Sequence, residues 1–389
     1  MKILMIAPNP FFCDRGFAIR IHDQIEGLSK AGHEVRICAY NTGRDVPGMV
    51  IRRIPDLPGY GSEQLGASFS RFYLDAFLFF TSLKEAWTFK PDVVHGHLHE
   101  GALMGIVIGK LLGIPVLLDS QGSLTGELKD RGHVTGGRLL SWIARLEALI
   151  DRKAGFIIYS SPVVGKLLVE EFGMPPEKIR LLEDGIDVER FNPSRDTGPV
   201  RKRLGLPEGR TVVVYSGALQ EYHGTDCLLN TIRHVVSKTR ELHFVIVGYT
   251  NLERYRRMAA DLGITDCVTF TGRVNFHETP DYLRAADIAV APKLGGSEAN
   301  LKLGYYMACG LPVVCFDTEI NRKVLGEYAV YVELGNPAAL GDGIIGLSRD
   351  PARIEAFGRG LRGRAESLFS LDCTTRKLLG VYGALLGHG

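Results

Sequence analysis

The chain has 389 residues, of which 45% are hydrophobic and 23% charged, enough for two globular domains and too apolar for a disordered polypeptide. Lysine plus arginine number 46 against 44 acids, and the net charge of +2 excludes a global electrostatic pull toward nucleic acid. Seven scattered cysteines, an odd total with no Cys-x-x-Cys pair, fit a reducing compartment better than a disulfide framework.

After Lys2 a short apolar run meets Pro8. It is too short for a signal-peptide core and reads as a first strand. No stretch approaches the roughly 18 to 20 uncharged apolar residues of a spanning helix, so the expectation is a cytoplasmic protein, soluble or peripheral. β-rich runs at 2–7, 35–39, 93–95, 116–118 and 156–159 alternate with amphipathic stretches at 19–31, 69–89, 101–112, 139–153 and 163–172. That alternation predicts a parallel sheet with crossover helices. Beyond Leu182 the pattern loosens into Glu183-Asp184-Gly185-Ile186-Asp187 and a turn-rich 192–199, which suits a domain boundary. It then restarts, with strands at 211–216, 243–247, 268–271, 288–291 and 313–316 and helices at 226–239, 253–262, 278–286 and 301–309. The predicted architecture is α/β, with two doubly wound Rossmann-like domains over 1–194 and 195–369, and a last amphipathic segment over 370–389 that packs back across the pair. Sheets of this kind bind ligands at the carboxyl ends of their strands, so two facing domains create a cleft with a binding edge on each wall.

The segment 216–224 follows a strand and precedes a helix, so Gly217 and Gly224 let backbone N–H groups approach a phosphate. An ordinary β–α turn explains the same spacing equally well. Val247-Gly248, Thr271-Gly272-Arg273 and Ala291-Pro292-Lys293 end three further strands and line up small or basic residues along one rim. Lys302 falls in the first turn of the helix opening at Leu301, where its ammonium and the helix dipole together suit a diphosphate. The plainer reading of such a lysine is a solvated helix face.

Four stretches resemble the retaining glycosyltransferases of family four, which have the two-domain GT-B fold. Gly16 in Arg15-Gly16-Phe17-Ala18-Ile19-Arg20, leading to Gly32-His33-Glu34-Val35, is similar to the family's glycine loop, first helix and second strand. Pro91-Asp92-Val93-Val94-His95-Gly96-His97 is similar to its PDVVHxH strand, and Asp184-Gly185-Ile186-Asp187-Val188-Glu189-Arg190-Phe191 to its NGVDxxxF turn. Leu301-Lys302-Leu303 through Met307-Ala308-Cys309-Gly310 is similar to its donor-site helix. The resemblance implies a nucleotide diphosphate sugar held mainly by the C-terminal domain and a glycan or lipid-linked acceptor held mainly by the N-terminal domain. It also implies retention of configuration and no metal or other cofactor. Neither Asp187-Val188-Glu189 nor Asp317-Thr318-Glu319 sits where a metal-binding Asp-x-Asp would.

In the family's register two glutamates eight residues apart are replaced by Ser297 and Tyr305. Glu298 stands one residue from the first position and can substitute, while the Tyr305 hydroxyl offers less to a ribose than a carboxylate. The family's basic pairs at the phosphate appear as Gly217-Ala218 and His223-Gly224, which leaves Lys302 and Arg273 as the cationic candidates. The expected catalytic residues are therefore Glu298 and Lys302. The expected donor contacts are Gly16, Gly217, Tyr222, His223, Gly248 and Arg273, with Ser297, Asn300, Leu301, Leu303 and Tyr305 around the helix. A histidine the family often places after an early strand is Gln121 here, and Gln121 joins His97, His99 and Glu100 as the expected acceptor contacts. The spacing of His95, His97 and His99 also suggests a metal, but no further ligand completes the set at a convincing spacing.

Two stretches, 69–89 and 131–153, mix aromatic, aliphatic and basic residues as interfacial helices do. Ordinary helices covering a sheet account for the first; for the second a peripheral membrane contact stays open. The expected function is glycosyl transfer in surface-polysaccharide assembly. The loss of both family glutamates keeps a catalytically degenerate binding or scaffold subunit as the alternative, beside a GT-B epimerase or nucleotide-sugar hydrolase.

Overall fold

A computed structural model describes residues 1–56, 70–122, 138–193, 197–295 and 299–387. They form two compact units, the first built on Met1–Gly185 and completed by Leu371–Gly389, the second built on Ile186–Gly296 and Asn300–Ser370.

The first unit runs β1 (Lys2–Ala7), α1 (Gly16–Lys30), β2 (Glu34–Ala39), β3 (Val50–Arg53), α2 (Ser70–Phe89), β4 (Val93–His97), α3 (Leu98–Leu112), β5 (Val116–Ser120), α4 (Arg138–Lys153), β6 (Phe156–Tyr159), α5 (Pro162–Glu170) and β7 (Ile179–Leu181). Its seven strands are ordered β3-β2-β1-β4-β5-β6-β7 and every neighbouring pair is parallel. β1 is buried from Ile3 to Ala7 because helices cover both faces, so it reads as a continuous apolar run and not as an alternating one. The order reverses at β1, which pairs Ile3 with both Val35 and Val93 and opens the binding edge of such a sheet at its carboxyl end. Gly96 lets α3 lie against β4, since a Cβ there would stand 2.5 Å from the Ala102 backbone.

The second unit adds α6 (Gly198–Arg203), β8 (Thr211–Ser216), α7 (Thr225–Lys238), β9 (Leu242–Val247), α8 (Leu252–Asp261), β10 (Val268–Gly272), α9 (Thr279–Arg284), β11 (Ile288–Ala291), α10 (Lys302–Ala308), β12 (Val313–Phe316), α11 (Glu319–Leu325), β13 (Ala329–Val332), α12 (Pro337–Ser348) and α13 (Pro351–Arg364). Its strand order is β10-β9-β8-β11-β12-β13, again parallel, and it reverses at β8. α14 (Leu371–Leu385) belongs to the first unit and packs on α1 and β5. Its approach requires Gly27, where a Cβ would meet the Thr375 hydroxyl at 2.0 Å.

Every strand expected from the sequence is present. Three more, β3, β7 and β13, escaped the pattern: β3 and β7 are short edge strands carrying Arg52, Arg53 and Arg180, and β13 is only partly buried. α12 is hidden in the sequence by three glycines, of which two serve contact: a Cβ on Gly341 would stand 2.8 Å from His234 and one on Gly343 3.1 Å from Val314.

Candidate functional site

In the second unit the carboxyl ends of β8 and β11 converge on one ammonium group. β8 ends at Ser216, whose amide donates to the Tyr306 hydroxyl on α10 at 2.8 Å, and the Tyr215 hydroxyl closes the turn by donating to the Ala218 carbonyl at 2.9 Å. Between these ties Gly217 holds φ +150, and a Cβ on it would come within 2.9 Å of Lys302 Nζ. The lysine therefore occupies space that any larger residue would fill. Its Nζ is buried without a hydrogen-bond partner and lies 4.4 Å from the centre of the Tyr215 ring. Burial lowers its pKa to about 7, with a further push from the Lys293 charge. Lys293 is itself buried and stands 5.3 Å from the Tyr222 ring centre.

His223 completes this group. Its Nδ1 is buried and unpartnered, and burial, then Lys302, then Lys293 lower its pKa to about 3, so the imidazole is neutral. Gly224 follows with φ +80 and a Cβ position only 1.8 Å from the Pro292 carbonyl oxygen, which keeps the β8 loop against the strand end that carries Lys293. A buried, unpaired cation is costly unless an anion completes it. Among the described residues no carboxylate pairs with Lys302, and the charge that its ammonium brings to this loop, beside Lys293 and a neutral imidazole, suits an anion with several oxygens.

The other expected donor contacts sit around this centre or apart from it. Gly248 packs on the same loop, a Cβ there falling 2.2 Å from the Gly217 carbonyl oxygen. Arg273 stacks over Tyr249 at 4.9 Å. Asn300 is buried with an unpartnered Nδ2, and its carbonyl accepts from Leu303, whose own side chain is wholly in the core. Leu301 is half-buried at the start of α10. Tyr305 stacks on Phe191 at 4.3 Å and meets Phe276 edge-on at 5.7 Å. α10 has only seven residues, so the electrostatics rest on the lysines and not on a long helix dipole. Ser297 and Glu298 lie outside the described residues. Gly16 opens α1 in the first unit.

At the sheet switch of the first unit a second polar centre surrounds Arg20, a residue of the first-helix stretch to which the sequence assigns no role. Arg20 is 4% exposed; its Nε is 3.0 Å from Asp119 and its Nη1 is 2.6 Å from Asp184 and donates to the Leu182 carbonyl. Burial works against the Asp119 charge, but Arg20 and His97 overcome it and hold the carboxyl well below its usual range. Burial raises Asp184, which shares the same guanidinium. His97 Nδ1 contacts Asp119 at 3.2 Å, Gln24 donates to it at 3.2 Å and Gln121 at 3.5 Å, so His97 and Gln121 do come together. The His97 Nε2 atom is buried and unpartnered. His99 stands elsewhere, bonded to Asp151 of α4 at 3.2 Å with Glu147 at 3.7 Å, and Glu100 is half-buried in the first turn of α3.

His95, His97 and Asp119 are close enough to share a cation. The set fits one poorly: Asp119 already receives Arg20 and Gln24, and an added cation would face the guanidinium. His95, held neutral by burial and by His97, instead lies 2.8 Å from the Tyr382 hydroxyl.

Two family descriptions match the chain: "Glycosyl transferase 4-like domain" over residues 15–185 and "Glycosyl transferases group 1" over residues 210–350. The chain is 29% identical over 309 residues to a D-inositol 3-phosphate glycosyltransferase of Acidothermus cellulolyticus, covering 75% of this chain and 66%, just under two thirds, of that protein. It is 28% identical over 363 residues to the Streptomyces bingchenggensis protein of the same name, covering 88% and 77%. Among solved structures it is similar to sucrose-phosphate synthase from Thermosynechococcus elongatus, with a TM-score of 0.81, 19% identity and all of both chains covered. It is also similar to the Anabaena protein HepE in complex with UDP and glucose, with a TM-score of 0.78, 15% identity, and 99% and 100% covered. At these identities the two structures speak for the fold alone.

Proposed function

The chain belongs to the glycosyltransferases of family four, with the GT-B pair of Rossmann-like domains and nucleotide-sugar transfer as its chemistry, and on that premise we propose that it works by retention, without a metal ion, and grips the donor diphosphate at Lys302. The observation that supports this reading is the buried Lys302 ammonium with no partner among the described residues. With Lys293 it supplies the positive charge that a divalent cation supplies in other transferases. Arg273 and the Gly217 loop are proposed to complete the donor contacts, and Glu298 is proposed from the sequence to serve the transferred sugar.

In this reading the bond between the anomeric carbon and the diphosphate oxygen breaks as an acceptor oxygen bonds to the same face of the sugar. The acceptor proton passes to the leaving phosphate, so no separate histidine base is required. Lys302 and Lys293 gain most when negative charge gathers on the departing diphosphate, which is where stabilisation accelerates the reaction. His97, Gln121 and Glu100 are proposed to meet the acceptor. A glycan or lipid-linked acceptor in surface-polysaccharide assembly at the inner face of the membrane remains the proposal from the sequence, and the names of the relatives add D-inositol 3-phosphate to it.

The test is turnover. The protein is incubated with UDP-, GDP- and dTDP-sugars together with D-inositol 3-phosphate or lipid-linked acceptors, in chelator, and the nucleoside diphosphate released and the anomeric configuration of the product are read. Acceptor-dependent release with retained configuration is expected. Nucleotide binding without any release across these acceptors favours the scaffold alternative, and acceptor-independent release favours a hydrolase.

A further inference from the structure

Three neighbouring helices of the first unit, α2, α3 and α4, turn an unusual surface outward. α2 packs on α3 and α3 on α4, so the three form one layer over the sheet. The inward side is conventional: Leu74, Leu78 and Phe89 of α2, Ile108 of α3 and Ile150 of α4 are buried core residues. The outward side is not. Phe80 and Trp87 on α2, Leu111 on α3, and Trp142 and Leu149 on α4 are each more than half exposed, at 65%, 70%, 63%, 62% and 52%. Their spacing is helical, with Phe77, Phe80, Lys84 and Trp87 on one face of α2 and Trp142, Arg145, Leu149 and Arg152 on one face of α4.

The charges on this layer have one sign. Lys84, Lys110, Arg145, Arg152 and Lys153 are exposed. No acid on the described parts of the same helices is exposed: Asp75 receives the Tyr40 hydroxyl, Glu85 pairs with Arg36, Glu100 is half-buried at the start of α3, and Glu147 and Asp151 are buried around His99. A solvated face of a monomer mixes both signs and shows large apolar side chains singly. Exposed tryptophan and phenylalanine interleaved with lysine and arginine, without an exposed acid, complement an apolar layer that has anionic groups at its surface.

We infer that the outer layer formed by α2, α3 and α4 docks on an anionic lipid surface. The aromatic and leucine side chains enter the headgroup region and the five basic residues meet lipid phosphates. No helix among the described residues is long and apolar enough to cross a membrane, so the attachment is interfacial. The inference holds whatever the acceptor is, because it uses no residue of the donor or acceptor sites.

The test is flotation of the full chain with phosphatidylcholine vesicles that contain or lack phosphatidylglycerol. The unaltered protein is expected to float with the anionic vesicles and to be released by high salt. Replacing Phe80 and Trp87 by serine is expected to lower the bound fraction about tenfold, and replacing Arg145 and Arg152 by serine to do the same and remove the preference for phosphatidylglycerol. All four positions are exposed, and an unchanged unfolding midpoint checks that the variants fold. Absence of flotation with either vesicle, or flotation that neither pair of substitutions changes, overturns the inference. So does a dimer in sedimentation velocity that the Phe80 and Trp87 substitutions dissolve, since the face would then belong to a second copy of the chain.

Discussion

Replacing Lys302 by methionine separates a ligand-binding lysine from a structural one by the sign of its effect on stability. Its pKa falls from the ordinary 10.5 to about 7 through burial and the Lys293 charge. At 1.36 kcal/mol per unit that corresponds to roughly 5 kcal/mol against the charged form, of which about 1 to 3 kcal/mol is expected after relaxation of the surroundings. The folded protein releases this proton near pH 7 and the unfolded chain only near 10.5, so in that window the unfolded chain holds more protons and stability rises with pH. The penalty is complete below about pH 7 and fades toward pH 10.5. Methionine keeps the apolar stem and removes the charge. Lys302→Met should therefore stabilise the ligand-free protein by about 1 to 3 kcal/mol near neutral pH, with the gain shrinking at alkaline pH, while the stabilisation by nucleoside diphosphates disappears. Urea unfolding at the two pH values, with and without UDP, GDP or dTDP, measures both effects. A variant that is less stable than the parent at neutral pH and still responds to nucleotide refutes the reasoning.

Gly217→Ala should weaken nucleoside diphosphate binding by about tenfold or more, because the new methyl displaces Lys302 Nζ; calorimetric titration reads this, and unchanged affinity would remove the loop from the site. Donor affinity of the unaltered protein should fall as pH rises through about 7, where Lys302 loses its charge, while His223 is already neutral and contributes no second step. Asp119→Asn should cost about 3 to 5 kcal/mol in urea unfolding, since it strips Arg20 of a buried partner. The depressed Asp119 pKa gives stability that is complete above the usual carboxylate range and lost as pH falls below it, so the same variant should flatten the acid limb of the stability curve. Glu298→Gln should lower turnover by about a hundredfold or more with the nucleotide response intact, measured by product release, if the carboxylate serves the sugar.

The sheets were legible because buried parallel strands write themselves as short apolar runs, as 2–7 and 211–216 do. Edge strands such as β3, which carries Arg52 and Arg53, do not. Around the proposed donor site the sequence points to Lys302 and to the Gly217 loop, but spacing alone does not tell a solvated ammonium from a buried one. The distinction comes from Tyr215 and Gly217 closing over it. Arg20 was illegible for a related reason: its two carboxylates come from residues 119 and 184, and only the folded sheet brings them to α1. Lys293 was seen as one of several rim residues, and its effect on Lys302 depends on the turn at Gly224 that fixes β11 beside the loop.

Thermal unfolding of the unaltered protein during titration with UDP, GDP and dTDP bears most directly on the central claim that the second unit holds a nucleoside diphosphate at Lys302. A ligand that binds only the folded state raises the midpoint, and at a hundredfold excess over its dissociation constant it contributes about 2.7 kcal/mol. A rise with at least one of the three nucleotides, lost in Lys302→Met, is the predicted result. No rise with any of them at millimolar concentration would contradict the claim.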